Sequence, residues 1–86
     1  MPEMLTLNDG TELENSQALE NNSTLFVYIR NGFGLKEVFD LLIEPEKTKK
    51  ILFTQINGEH VIFRGYKRLI DVRDEENGAI TAVLKK

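Results

Sequence analysis

Three short stretches, each with a glycine after Asn or Asp and apolar residues on both sides, constrain the fold of this chain more than any other feature. They are LTLNDGTEL near the start, FTQINGEHVIF in the middle and RDEENGAITAVL near the end. Asn-Gly and Asp-Gly between alternating apolar residues are strong local signals for a β-hairpin. The sequence therefore predicts three hairpins, in which these dipeptides reverse the chain rather than present reactive groups.

The register of the last hairpin follows from its apolar residues, because neighbouring residues of a strand point to opposite faces. A two-residue loop would set charged residues beside the apolar ones on one face. A three-residue loop over 76–78 instead brings the apolar residues together. The pairs that this longer loop predicts are Asp74–Ile80, Val72–Ala82 and Ile70–Leu84.

The other two hairpins are treated in the same way. Loop 8–10 gathers one face made of Leu5, Leu7, Thr11 and Leu13. Loop 56–58 gathers Ile51, Phe53, Val61 and Phe63. A two-residue loop is also acceptable in the middle hairpin, where it would group Leu52, Thr54, Val61 and Phe63, so that register stays open.

A strand and a helix are predicted between the first and second hairpins. The run Leu25–Ile29 is rich in β-branched and aromatic residues, as strands are. Helical spacing gives one apolar stripe of Leu35, Val38, Phe39 and Leu42. Gly34 or Asn31 caps this helix, and Pro45 ends it, with one further helical turn over 45–48. The polar run 21–24 is predicted to be a turn.

The stretch from His60 to Arg73 is too long for one flat strand and contains a single turn signal, Gly65. A glycine inside a strand pattern often marks a sharp bend, so Gly65-Tyr66 is predicted to carry the strand from one sheet layer to another. The sequence thus predicts a single α+β domain over residues 1–86. It is built from hairpins as a strongly bent antiparallel sheet or small open barrel, with one helix closing one end. Irregular spacing of the turns predicts no internal repeat.

Composition limits the classes of function. The chain has 86 residues, a formal net charge of -3 and no cysteine. The acidic balance opposes bulk attraction to nucleic acid or anionic membrane, and the lack of cysteine excludes disulfides and thiolate chemistry. The start, MPEMLTLNDG, lacks the features of a secretory signal, and no apolar run is long enough to span a bilayer. We therefore expect a cytoplasmic protein, with incorporation into a virion as a further location.

No group of residues predicts catalysis, a cofactor or a metal site. His60 is the only histidine, flanks the middle turn, and has Gln55 and Glu59 as its expected neighbours. No serine is placed to act with it as a nucleophile. The carboxylates at 44 and 46 and at 74–76 flank a proline or a turn, which is typical of solvated charge. The sequence predicts a protein that is not an enzyme, with no small-molecule substrate.

Basic residues around Tyr66 support an alternative function. They are Arg64, Lys67 and Arg68. An aromatic residue among basic ones can stack on single-stranded nucleic acid and neutralise its phosphates. A small nucleic-acid-binding or regulatory module is therefore the alternative. The acidic total and the absence of a clustered basic tract make it the less favoured one.

Apolar residues on both faces of two predicted strand regions point to protein contacts. Phe26 and Tyr28 oppose the apolar face of their strand, and Leu52 and Ile62 do so in the middle hairpin. Strands that are apolar on both faces are usually buried on both. A second sheet layer or a subunit interface would provide this burial. We expect a homo-oligomer at micromolar concentration, with these four residues as the candidate interface.

Four segments of the chain, LTLNDGTELENS, LKEVFDLLIEPEKT, FRGYKRLIDV and GAITAVLKK, provide a further clue. Together they resemble small uncharacterised proteins encoded in prophages of Gram-positive bacteria, in the tail, baseplate and lysis gene region. The resemblance covers nearly the whole chain and includes no catalytic motif, so it carries over no functional residue. It implies a phage structural or accessory role, with a second copy or another phage protein as the partner.

Overall fold

The computed structural model describes residues 3–30 and 32–86. In this part of the chain the strands are β1 (Met4–Thr6), β2 (Glu12–Glu14), β3 (Ser16–Asn21), β4 (Thr24–Ile29), β5 (Lys50–Thr54), β6 (His60–Arg64), β7 (Arg68–Asp74) and β8 (Ile80–Lys85). The helices are α1 (Leu35–Leu42) and α2 (Pro45–Thr48).

The strands form two four-stranded antiparallel sheets. Sheet A has the order β2-β1-β5-β6, and sheet B has the order β3-β4-β8-β7. One face of each sheet packs into a shared hydrophobic core, in which the wholly buried residues include Leu5, Leu13 and Ile51 of sheet A and Leu25, Val27 and Leu84 of sheet B. The α+β class and the construction from hairpins are confirmed. The barrel alternative is wrong, since the strands form two separate sheets that are not closed on each other.

All three predicted loops have the predicted length. In each, a backbone N–H⋯O bond joins the two residues that flank the loop: Leu7 N–H to Thr11, Gln55 N–H to Glu59 and Glu75 N–H to Ala79, each at 2.8 Å. The three-residue register is therefore confirmed for the middle hairpin as well. Gly10 and Gly78 end their loops with φ of +92° and +84°, a left-handed conformation that glycine adopts without steric cost.

One predicted pairing is wrong. Leu84 lies opposite Leu69 rather than Ile70, because the register shifts between Leu69 and Asp71. A β-bulge inserts one extra residue into a strand, here Ile70, and leaves it without a partner. Leu69 consequently takes the place on the core-facing side, and Ile70 remains 50% exposed.

A fourth hairpin, between β3 and β4, was not predicted as such. Asn21 pairs with Thr24, so Asn22 and Ser23 form a two-residue loop. Their φ values are +51° and +60°, as a type I′ turn requires. The predicted polar turn is therefore confirmed, and it is the tip of a hairpin whose first strand, β3, lacks β-branched residues.

The chain passes between the sheets at two corners. The predicted corner at Gly65-Tyr66 is confirmed: it joins β6 of sheet A to β7 of sheet B, with Gly65 at φ +85°. The other corner is Asn15, which joins β2 to β3 with φ +54°. This corner was not predicted, because no glycine marks it.

The strand arrangement repeats between β1–β4 and β5–β8. Each half has one hairpin in sheet A, a corner, and one hairpin in sheet B. The first strands of the halves pair with each other, as do the last strands. The prediction of no repeat is therefore wrong for the topology, and unequal loop lengths explain why the turns are irregularly spaced.

The helices lie in the connection between the two halves. Gly34 is the N-cap of α1, and its N–H donates to Glu37 Oε1 at 3.1 Å; Asn31, the other predicted cap, lies outside the described residues. Helix α1 packs against β7 and β8 and buries Val38 and Leu42 in the core. Helix α2 is the predicted further turn, with Pro45 in its first turn, and it packs against β5. That α1 closes one end of the fold stays a prediction.

Candidate functional site: the two outer sheet faces

The only histidine has no catalytic partners around it. His60 is exposed at the start of β6, and its Nδ1 lies 3.1 Å from Thr54 Oγ1. The expected neighbours Gln55 and Glu59 are not its partners, because the register places Thr54 directly opposite. Within residues 3–30 and 32–86, His60 forms no ion pair with a carboxylate, the group that would orient a general base.

The carboxylates singled out by the sequence are engaged in local, exposed interactions. Glu44 and Glu46 form ion pairs with lysines three residues further on, at 3.9 and 2.9 Å. Glu75 accepts a hydrogen bond from Thr81 at 2.8 Å. Within residues 3–30 and 32–86, no three His, Asp or Glu side chains are close enough to hold a metal ion. These groups therefore act as surface charge.

Tyr66 is wholly buried at the corner between the sheets. Its hydroxyl donates a hydrogen bond to Glu20, its ring meets Phe63 edge-on at 6.5 Å, and Lys86 Nζ lies 5.2 Å from the ring centre. Burial, then the hydrogen bond to Glu20 and the charge of that carboxylate, together raise the pKa of Tyr66 to about 12. A ring enclosed in this way is not available to stack on a nucleobase, which corrects the predicted role of Tyr66.

The basic residues of the nucleic-acid-binding hypothesis are distributed along the corner between the two sheets. Arg64 is on the outward side of sheet A, and Lys67 is exposed in the corner. Arg68 begins β7, and its Nε and Nη2 donate to the backbone oxygen of Lys86 at 3.1 and 2.9 Å. Arg64 precedes the corner on sheet A and Arg68 follows it on sheet B, and the ring of Tyr66 between them is buried, so no exposed aromatic ring lies among these basic residues.

The clefts of the described surface do not gather reactive groups. The one between Glu3, Asn15, Arg30 and Ile56 has a volume of about 390 Å³. Arg30 and Glu3 form an ion pair across it at 3.8 Å. Another of about 430 Å³ is lined by Tyr28 and the loop residues 75–77. Small-molecule sites are usually enclosed and apolar with a few convergent polar groups, and neither cleft has that character.

The four predicted interface residues form two separate pairs. Phe26 and Tyr28 point away from the core on sheet B, and Leu52 and Ile62 do so on sheet A. Because the sheets pack on each other through their inner faces, the two pairs lie on opposite sides of the molecule. They cannot form one continuous interface.

Outer face B is the outward side of sheet B. Its central row crosses the four strands as Leu19, Phe26, Val83 and Asp71. Leu19 is 69% and Phe26 39% exposed, and they are direct cross-strand neighbours. The flanking rows contribute Gln17, Tyr28, Thr81 and Arg73 on one side and Asn21, Thr24, Lys85 and Arg68 on the other.

The charges of outer face B are mostly of one sign. Glu75, bonded to the outward Thr81, places a carboxylate at the rim of outer face B. The strand positions of the face carry three basic residues, Arg68, Arg73 and Lys85, and one acidic residue. That acidic residue, Asp71, is bound by Arg73 Nε at 2.9 Å. Outer face B is thus an apolar strip with an excess of positive charge.

Outer face A is the outward side of sheet A. One row crosses it as Glu12, Thr6, Leu52 and Ile62, and the next as Glu14, Met4, Thr54 and His60. Lys50 and Arg64 form a third, shorter row. Ile62 is 47% exposed and Leu52 is half-buried. Outer face A therefore has glutamates along one edge, apolar residues in the middle, and the two basic residues of the short third row near the opposite edge.

A third exposed apolar surface lies on α1 and was not predicted. Leu35, Phe39 and Ile43, spaced by four residues, all remain partly exposed, and Ile70 of the bulge lies across a cleft of about 290 Å³ from Phe39. The predicted stripe of four residues is therefore divided, with Val38 and Leu42 in the core and Leu35 and Phe39 at the surface. Six of the nine residues from 35 to 43 are apolar, which indicated a helix with more apolar surface than one core contact can bury: Leu35, Val38, Phe39, Leu41, Leu42 and Ile43.

No protein-family model, curated protein or solved structure matches this chain. Within the described residues, neither helix has the length and apolar character needed to cross a bilayer.

Proposed function

We propose that this protein is a non-enzymatic structural or accessory component that acts through protein–protein contacts. The observation that carries the proposal is the pairing of apolar residues on the outward side of each sheet, where Leu19, Phe26 and Ile62 are exposed and Leu52 is half-buried. Leu19 lies directly opposite Phe26 on the neighbouring strand of outer face B, and Leu52 lies opposite Ile62 on outer face A. Single exposed apolar residues are common, whereas adjacent ones on a flat, charged sheet face are typical of interaction sites.

The distribution of reactive groups supports a role without catalysis. His60 pairs with a threonine, and the carboxylates at 44 and 46 pair with nearby lysines. Tyr66, whose pKa is raised to about 12, is enclosed and already bonded to Glu20. Catalytic sites instead gather perturbed groups in an accessible cleft.

Two kinds of partner fit the two faces. Outer face A has both charge signs and suits a second copy of the chain. Outer face B has excess positive charge beside Leu19 and Phe26, which suits an acidic surface on another protein. The resemblance to prophage proteins of the tail, baseplate and lysis region supports a phage protein as this second partner, in the cytoplasm or in the assembled virion. The helix α1 would then close one end of the fold and leave both faces free.

The experiment that tests this function compares a variant that lacks exposed apolar side chains with a variant that lacks the histidine. Leu19→Ser/Phe26→Ser is expected to abolish binding to an acidic protein encoded beside this chain while the fold stays intact. Thr24→Ser, on the same face but without an apolar side chain, is the control. A hydrolase screen that finds an activity in the wild type and none in His60→Ala would contradict the proposal.

A further inference from the structure

Outer face A carries charges of opposite sign on opposite sides of an apolar middle. We propose that it binds a second copy of this chain face to face, about a twofold axis that runs parallel to its strands. This inference rests on the proposed function, because it specifies which of the protein contacts is a self-contact. The surface in question consists of the outward residues of β1, β2, β5 and β6.

The charged groups of this face are available to a neighbouring molecule. Glu12 and Glu14 are exposed on β2, one edge of sheet A. Lys50 and Arg64 are exposed and directly paired near the opposite edge. None of the ion pairs formed within the described part of the chain involves any of these four side chains. Their charges are therefore balanced only by solvent ions unless another protein meets them.

The sheet order makes the face self-complementary about one particular axis. A twofold axis parallel to the strands, between β1 and β5, places β2 of one copy over β6 of the other. Rotation about this axis keeps each row at the same position along the strands. Glu14 of one copy therefore lies over the row of His60 in the other, and Glu12 of one copy is one row from Arg64 of the other. Rows on one face are about 7 Å apart, a distance that glutamate and arginine side chains span together. The twofold forms each of these contacts twice.

A different axis would bring like charges together. If the twofold ran across the strands, β2 would lie over β2 of the second copy, and the glutamates would face each other. Like charges placed directly opposite each other are destabilising. The charge pattern therefore selects the strand-parallel axis. It also disfavours outer face B as the self-contact, because the strand positions of that face carry more basic than acidic residues.

The apolar middle of the face provides the contact area. Leu52 lies on the inner strand β5 and, about this axis, meets Thr6 and Met4 of the second copy. Ile62 on β6 packs on the aliphatic part of Glu12. Two strands of three residues and two of five cover roughly 250 Å², less than half of the about 800 Å² that each partner buries in a standard interface. The dimer is therefore weak, and charge rather than area determines its geometry.

The test uses two charge-reversed variants and their mixture. Glu12→Lys/Glu14→Lys makes every charged group on the face basic, and Lys50→Glu/Arg64→Glu makes every one except His60 acidic. Each variant alone should associate at least about tenfold more weakly than the wild type, since attractive pairs become repulsive ones. A mixture of the two should form a heterodimer about as strong as the wild-type dimer.

Control variants separate a specific contact from the effect of net charge. Asp40→Lys/Glu76→Lys and Lys36→Glu/Lys67→Glu change the net charge by the same amounts as the test variants, at exposed positions outside outer face A. Both controls should associate like the wild type. The readout is sedimentation equilibrium up to about 1 mM in low salt, with backbone amide NMR shifts of one labelled variant to locate the contact.

The outcomes separate this inference from the broader function. Rescue in the mixture, with shifts at Thr6, Leu52 and Ile62, supports the proposal. A wild type that stays monomeric at about 1 mM in low salt overturns it, and so does a dimer whose shifts lie on outer face B or whose strength follows net charge alone. None of these results affects the test of outer face B with Leu19→Ser/Phe26→Ser, so failure here is distinguishable from failure of the proposed function.

Discussion

The two outer faces have the same architecture, four antiparallel strands over one core, yet they differ in how their charges are arranged. Outer face A separates Glu12 and Glu14 from Lys50 and Arg64 by an apolar middle. Outer face B has a longer apolar strip and a basic excess. The difference indicates that apolar exposure alone does not identify a partner. The sign and position of the surrounding charges decide whether a face can meet itself.

The edges of the two sheets differ in a related way. Exposed strand edges promote unwanted pairing, and proteins protect them with short strands, charges, bulges or covering elements. In sheet A, the edge strand β2 has three residues and two glutamates. In sheet B, the edge strand β7 has a bulge at Ile70 and is covered by α1. Such protection disfavours pairing with another chain along β2 and β7.

The largest effect on stability is expected in the hydrophobic core that the two sheets share. Leu25 of sheet B is wholly buried in the core between the sheets, whereas Leu19 of the neighbouring strand points outward and is 69% exposed. Leu25→Ala should lower the free energy of unfolding by about 3 kcal/mol, because it leaves a cavity. Leu19→Ala, the matched control, should change it by less than about 0.5 kcal/mol. Urea unfolding measures both, and equal losses would mean that the inner and outer faces are wrongly assigned.

The corner between the sheets gives the next effect. Burial and the bond to Glu20 hold the pKa of Tyr66 at about 12, above the ordinary value of 10.0, so the neutral phenol is favoured in the folded state. Its contribution to stability is fully present below pH 10 and is lost as the pH rises through about 12. Tyr66→Phe should lose about 1 kcal/mol at neutral pH.

The pH dependence of the two proteins distinguishes this account from a simple packing effect. Between pH 10 and 12, unfolding of the wild type should become easier relative to Tyr66→Phe, which has no phenol to ionise. The phenylalanine variant also serves as the control for lysine titration in the same range. Parallel stability curves for the two proteins would show that Tyr66 titrates like an exposed tyrosine.

Much of the fold could be predicted from local signals. The Asn-Gly and Asp-Gly turns indicated three hairpins, with the register of the middle one left open and that of the last one correct only up to the bulge at Ile70, and Gly65 marked the second corner. Strand β3, SQALEN, was missed because Ala, Leu and Glu favour helices when no partner strand is known. Asn15 adopts a left-handed conformation, which asparagine tolerates but which its presence in the sequence does not predict.

The candidate site was predictable only in part, because it depends on how distant strands combine. Phe26, Tyr28, Leu52 and Ile62 were recognised from the two-sided apolar pattern of their strands, but their division between opposite faces required the sheet order. The charge separation on outer face A joins β2 to β6, about fifty residues apart in sequence. Tyr66 was misplaced because its basic neighbours suggested exposure, whereas the fold of the corner buries it.

Substitutions in the hairpin turns test whether both sheets depend on a glycine in the left-handed conformation at the end of the loop. Gly10→Ala in sheet A and Gly78→Ala in sheet B should each cost about 1 kcal/mol, since alanine resists the left-handed conformation. No heavy atom lies within 4 Å of a Cβ added at either position, so strain rather than a clash is responsible. Urea melting curves of the two variants should shift alike. Midpoints that do not move in either variant would be inconsistent with these turns.

The smallest effect concerns nucleic acid, for which outer face B offers basic residues beside Phe26. We expect no binding of single-stranded DNA or RNA tighter than about 100 μM at physiological salt, at the weak end of non-specific binding. The reason is that Tyr66 is enclosed and Arg68 is already bonded to the backbone of Lys86. Fluorescence anisotropy is the measurement. Micromolar, salt-dependent binding that Arg68→Ala removes would favour the regulatory alternative.

Sedimentation equilibrium over a tenfold concentration range, at low and at high salt, tests most directly whether outer face A is the self-contact. We expect weak dimerisation in low salt that disappears in high salt and in Ile62→Lys. The dimer should persist in Phe26→Lys, the counterpart variant on outer face B. A monomer under every condition would contradict this account of self-association, as would a dimer that survives Ile62→Lys and is lost in Phe26→Lys.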